Sequence, residues 1–280
     1  LKEIMKTHLI ADSVRYPTMT TAQIRDAFLI DALYEPGALN LAYVDLDRAV
    51  VGMAAPSGAP ISLPADSTLR ANYFTERREL GALNIGGHGL IHVDGTAYTL
   101  ENLDCLYIGR GAKDIRFESR DPANAAVFYF LSYPAHISHP TTLIRKDDAN
   151  PVELGSAETC NHRTVCKYIH LDGARSCQLV MGVTHLHPGS AWNTMPTHTH
   201  MRRSEIYMYF NLGEGARVFH LMGPPDETRH IVMKDREVVV SPGWSIHAGA
   251  GTQAYSFCWG MGGENQDYAD MDPAPLHSLR

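Results

Sequence analysis

Thr197-His198-Thr199-His200-Met201-Arg202-Arg203-Ser204-Glu205-Ile206-Tyr207-Met208-Tyr209-Phe210 is the stretch on which the fold and the chemistry turn. It opens with two histidines one residue apart and closes on an apolar, aromatic run. Side chains on a strand alternate between its faces, so His198 and His200 point to one side. Met201-Arg202-Arg203-Ser204 can turn, and Glu205 opens the next strand, which can bring its carboxylate back beside the two imidazoles. The fourth donor is His247, placed just after the Pro242-Gly243 turn in Ser241-Pro242-Gly243-Trp244-Ser245-Ile246-His247. Three imidazoles and a carboxylate suit a borderline-soft divalent ion such as zinc, and also Mn, Fe or Co where the geometry leaves open positions. A lone histidine would read as an ordinary rim residue. The four donors at these offsets read as a metal centre.

Outward from this stretch the chain is written in short strands. Gln178–Leu186, Ala216–Met222, His230–Met233, Glu237–Val240 and Ala254–Gly260 follow one another with turns between. The first half has the same texture: Asn40–Leu46, Arg48–Met53, Asp104–Gly109 and Ala125–Leu131, with Gly89–Leu100 as a hairpin turning at Asp94-Gly95. Many short strands with almost no helix between them predict an all-β chain of two barrels or sandwiches. Residues 1–38 differ. Thr21–Tyr34 places Ile24, Ala27 and Phe28 on one helical face behind a Thr20 or Thr21 cap, and Pro36-Gly37 ends it. This segment is expected to be mainly helical. Residues 133–165, rich in Pro, His, Thr, Asn and Asp, read as a crossover between the two β units.

Composition sets the outer bounds. The chain has 280 residues, 44% hydrophobic and 20% charged, which is enough for a large core without staples. A formal net charge of -7 argues against a binder of nucleic-acid backbone. No apolar run is long enough for a membrane span, and Leu1–Ile10 has no signal-peptide core. Five dispersed cysteines without a CxxC pair read as reduced thiols, and localisation is expected to be cytoplasmic. Asn84-Ile85-Gly86-Gly87-His88-Gly89 lacks the spacing and the following helix of a nucleotide loop.

His-x-His, then x4-Glu, then a Pro-Gly turn and a distal histidine resemble the two signature motifs of the cupin superfamily. Two departures are that Gly189 lies farther upstream than is usual and that Ala248-Gly249-Ala250 stands where an asparagine is common. Longer stretches resemble the 4-deoxy-L-threo-5-hexosulose-uronate (5-keto-4-deoxyuronate) ketol-isomerase family of cupins over essentially the whole chain. They are Tyr73–Gly81, Asn84–Gly87, Trp192–His200, Glu227–Met233, Ser245–His247 and Trp259–Gln266. The resemblance implies a two-cupin chain, with a first cupin-like domain over 39–140, a linker over 141–175 and the metal-bearing cupin over 176–280. It further implies one zinc ion per chain on His198, His200, Glu205 and His247, a homohexamer, and an aldose–ketose isomerisation of a uronate-derived keto-aldehyde in pectin breakdown.

Such a reaction needs a base, an electrophile and an acid. Zinc would be the electrophile, or would coordinate both oxygens. For the base, His185, His187, Glu76, Glu79, Tyr207 and Lys167 remain candidates beside a metal-bound hydroxide. A planar carboxylate on the substrate is best met by arginine. Arg202 or Arg203 is expected to face it, with Arg163 and Arg229 as further options. Glu76, Arg77, Arg78 and Glu79 form a charge cluster read as structural or as a subunit contact. Two other readings share the fold. Another metal-dependent cupin enzyme, such as an iron oxygenase, would take up oxygen, and a non-catalytic sugar-binding bicupin would turn over no uronate. The first half holds no HxH at the corresponding place, so its barrel is expected to be scaffold or interface.

Overall fold

A computed structural model describes residues 4–264 and 266–280. Leu1–Glu3 of the segment read for a leader, and Asn265 of the Trp259–Gln266 motif, lie outside the described residues. The chain divides into two units. The first takes the chain up to His8, Ala32–Ala149 and Tyr168–Val180; the second takes Leu9–Asp31, Asn150–Lys167 and Met181–Arg280. Among the described residues no helix is long and apolar enough to cross a membrane. None of the five cysteines forms a disulfide, and Cys105, Cys166 and Cys258 are buried.

In the first unit a seven-stranded sheet runs Met5–His8, Leu39–Val44, Val50–Ala54, Phe128–Pro134, Arg78–Asn84, Cys105–Ile108, Thr142–Ile144. A four-stranded sheet adds Ile61–Ser62, Ile115–Ser119, Gly89–Val93 and Thr96–Leu100. The last two form the expected hairpin. Val93 pairs with Thr96, and Asp94 and Gly95 take φ of 48° and 85°, the left-handed values that a two-residue turn demands. Apolar side chains fill the interior: Phe117 stacks on Phe130 at 5.6 Å, among Phe74, Leu80, Ile91 and Phe128. A Cβ on Gly52 would lie 2.2 Å from the Phe130 ring, so only glycine lets that ring seat.

The charge cluster belongs to this framework. The buried Arg78 guanidinium donates to the carbonyls of Arg48 and Ser132, and burial lowers its pKa to about 10. Glu79 is fully buried and accepts from Tyr107 Oη and from the N–H groups of Cys177, Gln178 and Leu179. A carboxylate with that many donors is a satisfied structural anion. Glu76 is held by Asn72 through its backbone and side-chain N–H groups.

The second unit repeats the plan. Its seven-stranded sheet runs Val152–Leu154, Arg163–Ile169, Val180–Leu186, Ser256–Gly263, Arg203–Phe210, Val238–Ser241, Leu29–Ile30. Its four-stranded sheet runs Trp192–Asn193, Ile246–Gly251, Val218–Gly223, Arg229–Met233, and a short pair joins His198–Thr199 to Asp272–Pro273.

Two stretches differ from their sequence reading. Among the described residues the start of the chain holds one α-helix of eight residues, Thr21–Phe28, after a short 3-10 turn at Tyr16–Thr18, with a capping box between Thr20 and Gln23 and with Ile24, Ala27 and Phe28 buried as expected. It stops early because Leu29 and Ile30 pair with Val239 and Val238, a sheet contact more than 200 residues away that local propensity does not contain. The Pro/His-rich segment likewise carries strands at Thr142–Ile144, Val152–Leu154 and Arg163–Ile169, each ordered by a neighbour in a sheet.

Candidate metal centre

The four donors come together from three separate pieces of the second unit. His198 lies on the short strand against Pro273, and His200 follows it at a turn closed by the Arg203 N–H on the His200 carbonyl. Glu205 is on the strand Arg203–Phe210, two residues from Tyr207 and so on the same face. His247 lies in the four-stranded sheet, beyond the Pro242 turn. A Cβ on Gly243 would come within 2.6 Å of the His200 carbonyl oxygen, so this glycine lets the turn press against the ligand loop.

His198 Nε2 lies 3.1 Å from His200 Nε2 and 3.0 Å from His247 Nε2. Glu205 Oε2 lies 2.9 Å from His247 Nε2 and 3.2 Å from His200 Nε2, yet no hydrogen bond of good geometry reaches this buried oxygen. Neighbouring donors around a divalent ion with bonds of about 2.0–2.2 Å stand roughly 2.8–3.6 Å apart, from a six-coordinate to a tetrahedral shell. His200 also has its tautomer set: Nδ1 lies 2.6 Å from the Asp270 carbonyl oxygen and can only donate to it, which leaves a lone pair on Nε2. Convergent lone pairs, a buried carboxylate oxygen without a hydrogen bond and a fixed tautomer fit a bound cation.

The electrostatics agree. Burial, and then His247, lowers the His198 imidazole to about 3, so it stays neutral. Burial alone would raise the Glu205 carboxyl, but His247 and His200 outweigh it and hold the group well below its usual range. Burial and Glu205 push the Tyr207 phenol well above its ordinary value, so its hydroxyl keeps its proton.

His198, His200 and Glu205 line a cavity of about 340 Å³, at the small end for ligand pockets. Tyr207 lines it, with Oη 2.9 Å from Thr194 Oγ1. Arg163 lines it too. Its Nη1 donates to the Asn161 carbonyl, and among the described residues no carboxylate pairs with it. Phe257, Trp259 and Met261 supply apolar wall, with Trp259 Nε1 donating to Thr184 Oγ1. Tyr268, which the sequence did not single out, lines the cavity as well. Burial raises its phenol to about 12. No motif marks Tyr268; the pairing of His198 with Pro273 brings its segment to the site.

Other candidates fall elsewhere. Arg202 is bound to the Asp270 and Asp272 carboxylates, and Arg203 is buried with Nη2 on the Asp270 carbonyl. Both thus hold the segment that orients His200, and neither lines the cavity. Arg229 donates to the Met19 and Pro17 carbonyls. Lys167 Nζ sits 4.2 Å from the centre of the Tyr268 ring. His185 Nδ1 bonds to Ser256 Oγ, and His187 packs on His162 beside Glu153; neither lines the cavity. Glu76 and Glu79 belong to the first unit.

A sequence profile of the KduI/IolB family matches residues 33–278. The chain belongs to the KduI/IolB family. Among curated members, the 4-deoxy-L-threo-5-hexosulose-uronate ketol-isomerase of Lachnoclostridium phytofermentans is 54% identical over 93% of this chain and 95% of its own. The enzyme of the same name from Shouchella clausii is 48% identical over 95% of this chain and 96% of its own. This KduI/IolB chain is accordingly an isomerase of the cupin superfamily. Its fold is shared with an IolB-like protein from Salmonella typhimurium LT2, at 14% identity and a TM-score of 0.70 over 86% of this chain and 94% of that one. Oxalate decarboxylase from Lactobacillus farciminis shares it more distantly, at 10% identity and a TM-score of 0.56 over 78% of each chain.

Proposed function

We propose that the chain converts 5-dehydro-4-deoxy-D-glucuronate (4-deoxy-L-threo-5-hexosulose uronate) to 3-deoxy-D-glycero-2,5-hexodiulosonate, with zinc on His198, His200, Glu205 and His247. The observation that carries this reading is the 54% identity to a ketol-isomerase over 93% of the chain, joined to a cluster of four donors of which His198, His200 and Glu205 line a cavity. The reaction moves one hydrogen from the hydroxyl-bearing C2 to the aldehyde carbon C1. O2 gives up its proton as C2 becomes a ketone, and O1 gains one as C1 becomes a CH2OH group.

His198, His200, Glu205 and His247 would hold a divalent ion, which would supply an electrophile to polarise the carbonyl and offset negative charge on the substrate oxygens. The chain's own residues do the rest. Arg163 replaces Arg202 and Arg203 as the group that meets the substrate carboxylate, because it is the arginine among the residues lining the cavity. Tyr207, protonated and anchored on Thr194, donates a hydrogen bond to a substrate oxygen. Phe257, Trp259 and Met261 exclude water from the reacting carbons. A two-barrel architecture and assembly as a homohexamer belong to the same reading, and light scattering on purified protein measures the subunit number.

The test is product formation followed by NMR, starting from the keto-aldehyde released from unsaturated galacturonate, with native, chelated and zinc-restored protein. Turnover that vanishes on chelation and returns with zinc is expected. Turnover that survives verified metal removal rejects the metal's role. No turnover by zinc-loaded protein rejects this substrate.

A further inference from the structure

A second group of metal-ligating side chains lies on the second unit, away from the cavity. Glu153 stands opposite Thr164 in the pairing of Val152–Leu154 with Arg163–Ile169. The Thr164 hydroxyl is 2.5 Å from Glu153 Oε1, which leaves Oε2 to face the histidines. His162 precedes the second of these strands, and the His187 N–H donates to the His162 carbonyl at 3.0 Å. That bond sets the two imidazoles in register. They stack at 4.1 Å with 15° between their planes, and both Nε2 atoms lie 3.0 Å from the same oxygen, Glu153 Oε2. His187 Nε2 is also 2.9 Å from Thr164 Oγ1.

Two neutral imidazoles can each place an Nε2–H on Glu153 Oε2, and the same three atoms, with those protons released, form a Glu/His/His donor set for one cation. One divalent cation takes up both nitrogens and the carboxylate oxygen together, and the 3.0 Å separations suit a six-coordinate ion with bonds of about 2.1 Å whose remaining positions hold water. Leu154, Arg163 and Val165 line the cavity, so by alternation Glu153 and Thr164 face the opposite side of the same sheet. The side chains of Glu153, His162 and His187 are 58%, 40% and 37% exposed, so an ion is reached from solvent and keeps room for water.

We propose that Glu153, His162 and His187 form a second, solvent-facing site for a borderline divalent ion of the zinc class. It joins Val152–Leu154, the end strand of its sheet, to the strand that carries Arg163. The site stands on its own residues and holds whether or not the uronate reading does.

Full-length protein stripped of metal is titrated with Zn2+ alone by calorimetry, with bound metal counted by mass spectrometry after gel filtration. Two ions per chain are expected, in a tight and a weaker step. Glu153→Gln/His162→Gln, at exposed positions, keeps the tight step and loses the weaker one, with unchanged circular dichroism. His198→Ala/His200→Ala loses the tight step and keeps the weaker. A single ion per chain in the unaltered protein, or a second step that persists in Glu153→Gln/His162→Gln, overturns the proposal.

Discussion

Leu80 and Glu205 occupy matching places in the two units. Each lies two residues into the strand that sits third from the end of its seven-stranded sheet, and each pairs with the last residue of the next strand, Ile108 and Ser241. Around Leu80 the interior is phenylalanine and aliphatic; around Glu205 it is histidine and tyrosine, opening on a cavity. One strand plan therefore supports either a packed core or a polar site, and the side chains on the inward face decide which. Even the arginine two residues earlier is retained: Arg78 and Arg203 are both buried and both donate to backbone carbonyls. Among the described residues no metal-ligating group of three or more occurs in the first unit.

The contrast can be attacked from both sides. Glu205→Gln removes the charged donor, and kcat/KM in the NMR assay should fall by about 10³-fold, or about 4 kcal/mol of transition-state stabilisation. Retained activity with full zinc content would make Glu205 dispensable. Leu80→Glu puts the polar residue into the apolar interior, where a carboxylate has no donors; urea unfolding should show a loss of about 3–5 kcal/mol. A variant of unchanged stability would mean that the first interior tolerates charge.

Smaller effects test the surroundings. Arg163→Ala should raise KM by about 10–100-fold with little change in kcat or Tm, the loss expected for one charge-assisted contact to substrate. Arg202→Ala frees the Asp270 segment that orients His200, and zinc affinity measured against a competing chelator should drop by about tenfold. Unaltered affinity would assign Arg202 to the surface alone. The smallest concerns Glu237, whose carboxyl burial raises. Its folded form binds a proton more readily than the unfolded chain, so stability from this group is present at low pH and is lost as pH rises through the raised folded value. Glu237→Gln, which can still accept the Lys234 N–H, should gain under about 1 kcal/mol at pH 7 and nothing at pH 3.

The grouping of the four donors is legible in the sequence because each follows from local geometry: alternation for His198 and His200, a turn and a strand for Glu205, a Pro-Gly turn for His247. Tyr207 facing the cavity follows from the same alternation. The cavity's other residues are not legible in this way. Tyr268, Met271 and Pro273 arrive through one strand pairing with His198, and Arg163 through a sheet neighbour, and neither pairing has a local signature. The same cause shortens the N-terminal helix, since the partner of Leu29 is Val239. His185 and His187 show the limit of reading by type. Period two separates the faces of a strand, but which face meets the cavity is settled by the whole sheet.

The carbonyl of Asp270 fixes the tautomer of His200, 70 positions earlier in the chain. A ribosome adding about 5–20 residues per second needs several seconds to cover that distance. During synthesis the histidine pair emerges well before the group that commits its nitrogens, and the cavity acquires its last wall only with the same late segment. The donor cluster therefore reaches its geometry as a closing event of folding, so a nascent chain halted before Asp270 has the four donors but not the group that orients His200.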